Sequence, residues 1–129
     1  MAKTALELTP EEKLAYRLRE AIERRQEAEN QQVEERWQQA QRLARQAAKV
    51  LYEEFGAVRV LLFGSAIRRA SFTPWSDVDL AAWGIPTERF YAAVAAVTGL
   101  SADINIDLAD LESCCLALRA NIAHGGVEL

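Results

Sequence analysis

The sequence predicts an α/β (α+β) fold: a small mixed β-sheet with helices on it, preceded by one long N-terminal α-helix. Three stretches lead to this. After Pro10 no Gly or Pro interrupts the chain before Gly56, and the residues between are rich in Ala, Glu, Gln, Arg and Leu, all good helix formers. Val58–Phe63 (VRVLLF) is largely apolar and β-branched, as in a buried strand, and it stops at Gly64. Beyond it, strand-like and helix-like pieces alternate to the last residue.

Thr9-Pro10-Glu11-Glu12 reads as a helix start, with Thr9 as N-cap, Pro10 in the first turn and Glu12 reaching back as in a capping box. Gly56 supplies the stop. Apolar residues fall at Leu14, Leu18 and Ile22, then at Val33, Trp37, Ala40, Ala44, Ala47 and Leu51. The second set steps by four and three, the spacing of a narrow packing stripe. Glu23–Gln32 between them is nearly all polar, so any kink belongs there. One continuous helix of this length would extend roughly 70 Å at about 1.5 Å per residue, more than the remaining chain can cover. The expected division is therefore residues 1–35 as a helical extension for association and 36–129 as the core. Leu14, Leu18 and Ile22 would dock on a partner chain, since such a face left in water contributes little to holding a helix.

Asp77–Trp83 reads as a second strand, turned by Gly84-Ile85-Pro86. Thr87 is the expected N-cap of a helix through Phe90, Tyr91, Val94 and Val97, ended by Gly99. Ser101–Leu108 follows as a strand with Ile104, Ile106 and Leu108 on one face and Asp103, Asn105 and Asp107 on the other. Leu111–Ala123 is expected to be a helix capped by Gly125-Gly126, and Val127–Leu129 a final edge strand.

With 129 residues, half of them hydrophobic, the chain has room for one domain and an appendage. Its apolar runs are too short to span a bilayer, and MAKTALELTPEEK lacks the plan of a signal peptide. Cysteine occurs only as the adjacent Cys114-Cys115, which excludes a disulfide framework or zinc site and reads as two small buried hydrophobes. A cytoplasmic protein without membrane attachment is expected. The net charge of −4 argues against specific DNA binding.

The chemistry gathers between Gly64 and Asp107. Gly64 lets the backbone leave its strand tightly, with no Cβ to block a ligand. Ser65 opens a short helix whose free N–H groups favour a phosphate. Asp77 and Asp79 share one strand face, where two carboxylates alone would repel and one would hold its proton. A divalent cation relieves that repulsion, and Mg²⁺ is commonly held by one or two carboxylates with substrate phosphates. The pair thus reads as a half-site for a metal-bound nucleoside triphosphate. Asp107 and Asp103 are the two choices for a third carboxylate. Arg68 and Arg69 either add charge to the phosphates or face solvent. Trp75 either stacks on a base or packs locally. His124 reads as a capping or surface residue, and Asp110 as a turn or capping one.

Gly64-Ser65, eleven intervening residues and Asp77-Val78-Asp79-Leu80 resemble the active-site signature of the DNA polymerase β-like nucleotidyltransferases. The nearest likeness is to the minimal nucleotidyltransferases (MNT), and it covers about Leu51 to the C-terminus. In that family a third carboxylate lies in a segment apolar-Asp-Leu-x-Asp, which Ile106-Asp107-Leu108-Ala109-Asp110 matches at Asp107. Many relatives have ten residues where this chain has eleven, and the extra one falls around Arg69–Phe72. The resemblance implies that Asp77, Asp79 and Asp107 are catalytic and hold one or two Mg²⁺ ions. It further implies that Gly64 and Ser65, with Arg68 and Arg69, bind the phosphates of ATP, and that AMP passes to a hydroxyl. Minimal members are similar to the antitoxins of two-gene pairs whose toxin is an α-helical HEPN protein, adenylylated on a tyrosine. A HEPN partner is implied, with the N-terminal helix either dimerising or holding that chain. The rival reading is a non-catalytic antitoxin that blocks its partner by binding. A third, an enzyme for small molecules like the aminoglycoside nucleotidyltransferases, normally uses more chain.

Overall fold

The computed structural model describes residues 7–114 and 116–129. The first six residues of the expected extension, and Cys115, lie outside the described residues.

Helix α1 runs unbroken over Pro10–Phe55, straight through the polar stretch where a kink was allowed. Its ends are those the sequence specifies. Thr9 Oγ1 accepts the Glu12 N–H at 3.1 Å, and Gly56 closes the helix in the left-handed region with φ 73°. The stripe from Val33 through Trp37 to Phe55 packs on the core, whereas Leu14, Leu18 and Ile22 stay in solvent.

Four strands follow: β1 (Arg59–Phe63), β2 (Val78–Trp83), β3 (Ile106–Asp110) and β4 (Val127–Glu128). They form one sheet in the order β3-β2-β1-β4, with β1 antiparallel to β2 and β4, and β2 parallel to β3. A parallel neighbour needs a crossover, which α2 (Phe90–Thr98) supplies. Alternation along the strands sorts the side chains into two cores. Val60, Leu62, Val78, Leu80 and Ile106 pack against α1 and α2, where Ala40, Ala44 and Ala47 let the helix approach closely. Leu61 and Ala81, on the opposite face, pack with Leu111 and with Ile122 of α3 (Leu116–Gly125). Cys114 is partly buried against this second cluster.

Three element starts fall well inside their expected bounds, two of them because a local polar side chain sets the turn. The third strand begins at Ile106 instead of Ser101, because Ser101 Oγ takes the N–H groups of Asp103 and Ile104, both at 3.2 Å, and holds a turn there. The last helix begins at Leu116 instead of Leu111. Asp110 takes the Glu112 N–H at 3.0 Å and the Ser113 hydroxyl at 2.8 Å, fixing Leu111–Ser113 as a turn. Thr87 opens a 3₁₀ turn, Thr87–Arg89, without capping it, and Phe90, Ala93 and Val97 face inward while Tyr91 is exposed. Between β1 and β2 the chain makes two 3₁₀ turns, Gly64–Ile67 and Arg69–Ser71, and then buries Phe72.

Tyr52 ties α1 to both β1 and the end of the chain. Its hydroxyl accepts the Val60 N–H at 2.9 Å and donates to the Leu129 carbonyl at 3.0 Å. Tyr52→Phe is expected to lower unfolding free energy by about 1–2 kcal/mol. Urea titration reads this directly, and an unchanged midpoint would show that water replaces both bonds without loss.

Candidate active site

Gly64 leaves β1 with φ 75°, a conformation that disfavours a side chain. Space is as restrictive as the dihedral: a Cβ here would run into the carboxylate of Asp79. The turn that follows is held by α1, because Trp37 Nε1 and Gln41 Nε2 both donate to the Ala66 carbonyl, at 3.0 and 2.6 Å. Ser65, within that turn, is half-buried.

Asp79 of β2 stands in parallel register with Asp107 of β3 and opposite Phe63 of β1. Neighbouring strands lie about 4.8 Å apart, so the two carboxylates meet on one face of the sheet. That face is the one α3 covers further along, at Leu61 and Ala81. Asp77 sits immediately before β2 and is half-buried. Burial holds the Asp79 carboxyl above the ordinary carboxylate range, and so do the charges of Asp107 and Asp77 and a hydrogen bond with Asp107. Asp107 is exposed, and its Oδ1 accepts from Asn105 Nδ2 at 3.1 Å. Of the two candidates for a third carboxylate, the register brings Asp107 beside Asp79. Asp103 lies in the preceding turn, exposed.

The two arginines separate. Arg69 Nε pairs with Glu34 Oε2 at 2.6 Å and its Nη2 donates to the Asn30 carbonyl at 3.1 Å, so it clasps α1, a role neither sequence reading gave it. Arg68 is exposed. Trp75 is 85 % exposed and does not pack locally; with Pro74, Val33 and Arg36 it borders a cavity of about 630 Å³. Asp110 holds its turn, and His124 is exposed in the last turn of α3.

Sequence reasoning missed the polar tips of the α1 stripe. Arg36 donates to the Ser76 carbonyl at 3.3 Å and to the Asp103 carbonyl at 3.2 Å, pinning the segments that lead into Asp77 and into β3. A signal existed: Arg36, Trp37 and Gln41 are donor-tipped residues within or beside a stripe that otherwise reads as packing alone.

Among the described residues, no group of three or more His, Cys, Asp or Glu side chains is arranged to hold a metal ion unaided. The carboxylates still fit a hard cation that takes substrate oxygens into its shell. Asp79 and Asp107 stand side by side in register, where two anions repel and raise the Asp79 carboxyl, and a cation there relieves that repulsion.

No protein-family model matches the sequence. No curated protein matches it either. Solved structures do. A toxin–antitoxin MntA–HepT structure matches at 20% identity and TM-score 0.51, over 68% of this chain and 69% of that chain. A tri-AMPylated Shewanella oneidensis HEPN toxin in complex with MNT antitoxin matches at 20% identity and TM-score 0.52, over 69% of this chain and 70% of that chain. A mutant MntA–HpeT toxin–antitoxin matches at 22% identity and TM-score 0.53, over 66% and 69%. A four-stranded mixed sheet with α1 and α2 on one face and α3 on the other, similar to these three structures, is the MNT nucleotidyltransferase-like fold.

Proposed function

We propose that this chain is an antitoxin-type nucleotidyltransferase, moving AMP from ATP to a hydroxyl, specifically a tyrosine of an α-helical HEPN partner. One observation carries the reading: Asp79 and Asp107 meet in register beside the Gly64 turn, with Asp77 entering the same strand. The fold similarity supports it, because one of the similar structures holds a tri-AMPylated HEPN toxin.

Asp77, Asp79 and Asp107 would hold one or two Mg²⁺ ions, which when bound neutralise the triphosphate and stabilise the attacking and leaving oxygens. The residues of the chain do the rest. Gly64 leaves room for phosphate, and the Ser65 hydroxyl and nearby main-chain N–H groups orient the β- and γ-phosphates. Trp37 and Gln41 keep that turn in place. Arg68, exposed at the end of the turn, adds positive charge, whereas Arg69 secures the loop to α1. Asp107, the most exposed of the three carboxylates, faces the acceptor and takes its proton. The acceptor oxygen bonds the α-phosphorus, the bond to the β-phosphate oxygen breaks, and pyrophosphate departs. The clasp of Arg69 by Glu34 favours the second reading, a non-catalytic blocker of a HEPN partner, since it withdraws one cation from the phosphates.

Incubation with labelled ATP and Mg²⁺, with and without the product of the neighbouring gene, separates the two. Transfer of label to the partner, lost in the Asp77→Asn/Asp79→Asn double variant, is the expected result. A stable complex that never takes label would replace catalysis by blocking.

A further inference from the structure

The first half of α1 carries an apolar face that the fold does not cover. Leu14, Leu18 and Ile22 are 60, 56 and 57 % exposed; α1 adds apolar side chains to the core only from Val33 onward, and Arg69 bonds the helix at the Asn30 carbonyl. Glu11, Leu14, Leu18, Ile22 and Arg25 all project within about 40° of the Leu18 direction, given 3.6 residues per turn. The order along this face is self-complementary. Counting outward from Leu18, four residues in either direction lead to Leu14 and Ile22, and seven lead to Glu11 and Arg25. An acid closes one end of the stripe and a base the other. Ala15 and Ala21 stand three residues to either side and flank the stripe with small side chains.

We propose that this face binds the same face of a second copy, antiparallel, about a two-fold axis at Leu18. Leu18 then meets its own counterpart, Leu14 of each copy meets Ile22 of the other, and Glu11 of each copy meets Arg25 of the other. One patch serves both copies, as an isologous interface requires. A parallel pair would set Glu11 against Glu11 and Arg25 against Arg25, which like-charge repulsion disfavours. In this register Pro10 of one copy lies opposite Gln26 of the other, four residues short of Asn30, where Arg69 bonds the helix, or about 6 Å along the axis. The overlap, residues 10–26 of each copy, is about 24 Å of helix, so the interface falls at the small end of specific contacts and its dimer responds to concentration. This association is independent of the proposed catalysis and leaves the carboxylate face of the sheet open.

Sedimentation velocity of the full chain across a concentration series tests the proposal, since the monomer mass is 14.4 kDa. The expected result is a reversible approach to twice that mass. Glu11→Arg and Arg25→Glu should each weaken the dimer about tenfold or more, because either places like charges at both ends of the stripe. Mixing the two variants should restore association, since every end pair is then of opposite charge. The single double variant, Glu11→Arg/Arg25→Glu, should also dimerise, which excludes fraying of the helix as the cause of the single-variant losses. A monomer at every concentration overturns the proposal, even if Leu18→Glu then abolishes binding to the neighbouring gene product, because the face would belong to that protein. A dimer indifferent to both charge reversals and to Leu18→Glu overturns it as well.

Discussion

Asp79→Asn is expected to raise the melting temperature at pH 7 while cutting nucleotidyl transfer by about a thousandfold. The stability gain follows from the carboxyl's surroundings. Burial, first, and the charges of Asp107 and Asp77 raise its pKa in the folded chain, as does its hydrogen bond with Asp107. A carboxyl raised on folding makes the native state the better proton binder. Its contribution therefore favours folding below the ordinary carboxylate range and is lost as pH rises through the raised native value. At pH 7 the carboxyl therefore opposes folding; asparagine cannot ionise and removes that opposition. A gain of up to about 3 °C at pH 7 is expected for a chain of this size, fading to none as the pH falls to the acid side of that range. The loss of transfer rests on the proposed function, and a thousandfold corresponds to about 4 kcal/mol of transition-state stabilisation. Scanning calorimetry at two pH values with the labelled-ATP assay reads both effects. A melting temperature that falls at pH 7 would contradict the electrostatic account of the site, whatever the assay shows.

Much of this arrangement was legible in the sequence, because the signals that matter are short and local. The bounds of α1 could be read from Thr9 and Gly56, since caps act through the residue itself and its nearest turn. The alternation of Asp77-Val78-Asp79-Leu80 placed Asp79 opposite its apolar neighbours, and Gly64 marked a tight exit from β1. What the sequence left open was register. Asp103 and Asp107 are equivalent by alternation alone, and only the pairing of β2 with β3 brings Asp107 beside Asp79. The errors at Ser101, Thr87 and Leu111 share one cause, in that a side chain or proline fixes a turn where propensity favours a regular element. The contacts of Arg36, Trp37, Gln41 and Arg69 span 25 to 67 residues of sequence, and no local pattern announces their partners.

On the proposed function, Gly64→Ala is expected to reduce transfer by about a hundredfold while lowering stability by only about 1–2 kcal/mol. Two physical effects act at this position, and a second glycine separates them. Gly64 and Gly56 share nearly the same positive φ, 75° and 73°, so a Cβ is disfavoured at both, by about 1–2 kcal/mol. Their surroundings differ. A Cβ at Gly56 meets nothing within 4 Å, whereas one at Gly64 collides with the Asp79 carboxylate. Gly56→Ala should therefore lose no more stability than Gly64→Ala and leave transfer near its original rate. The collision at Gly64 forces Asp79 or the turn to move; on the proposed function Asp79 is a catalytic group, and its displacement by about 1 Å is enough for a hundredfold loss. Chemical denaturation and transfer rates on the two variants give the comparison. Equal losses of activity would mean that strain alone governs the turn. A selective loss at Gly64 would tie the exit of β1 directly to the carboxylate it faces.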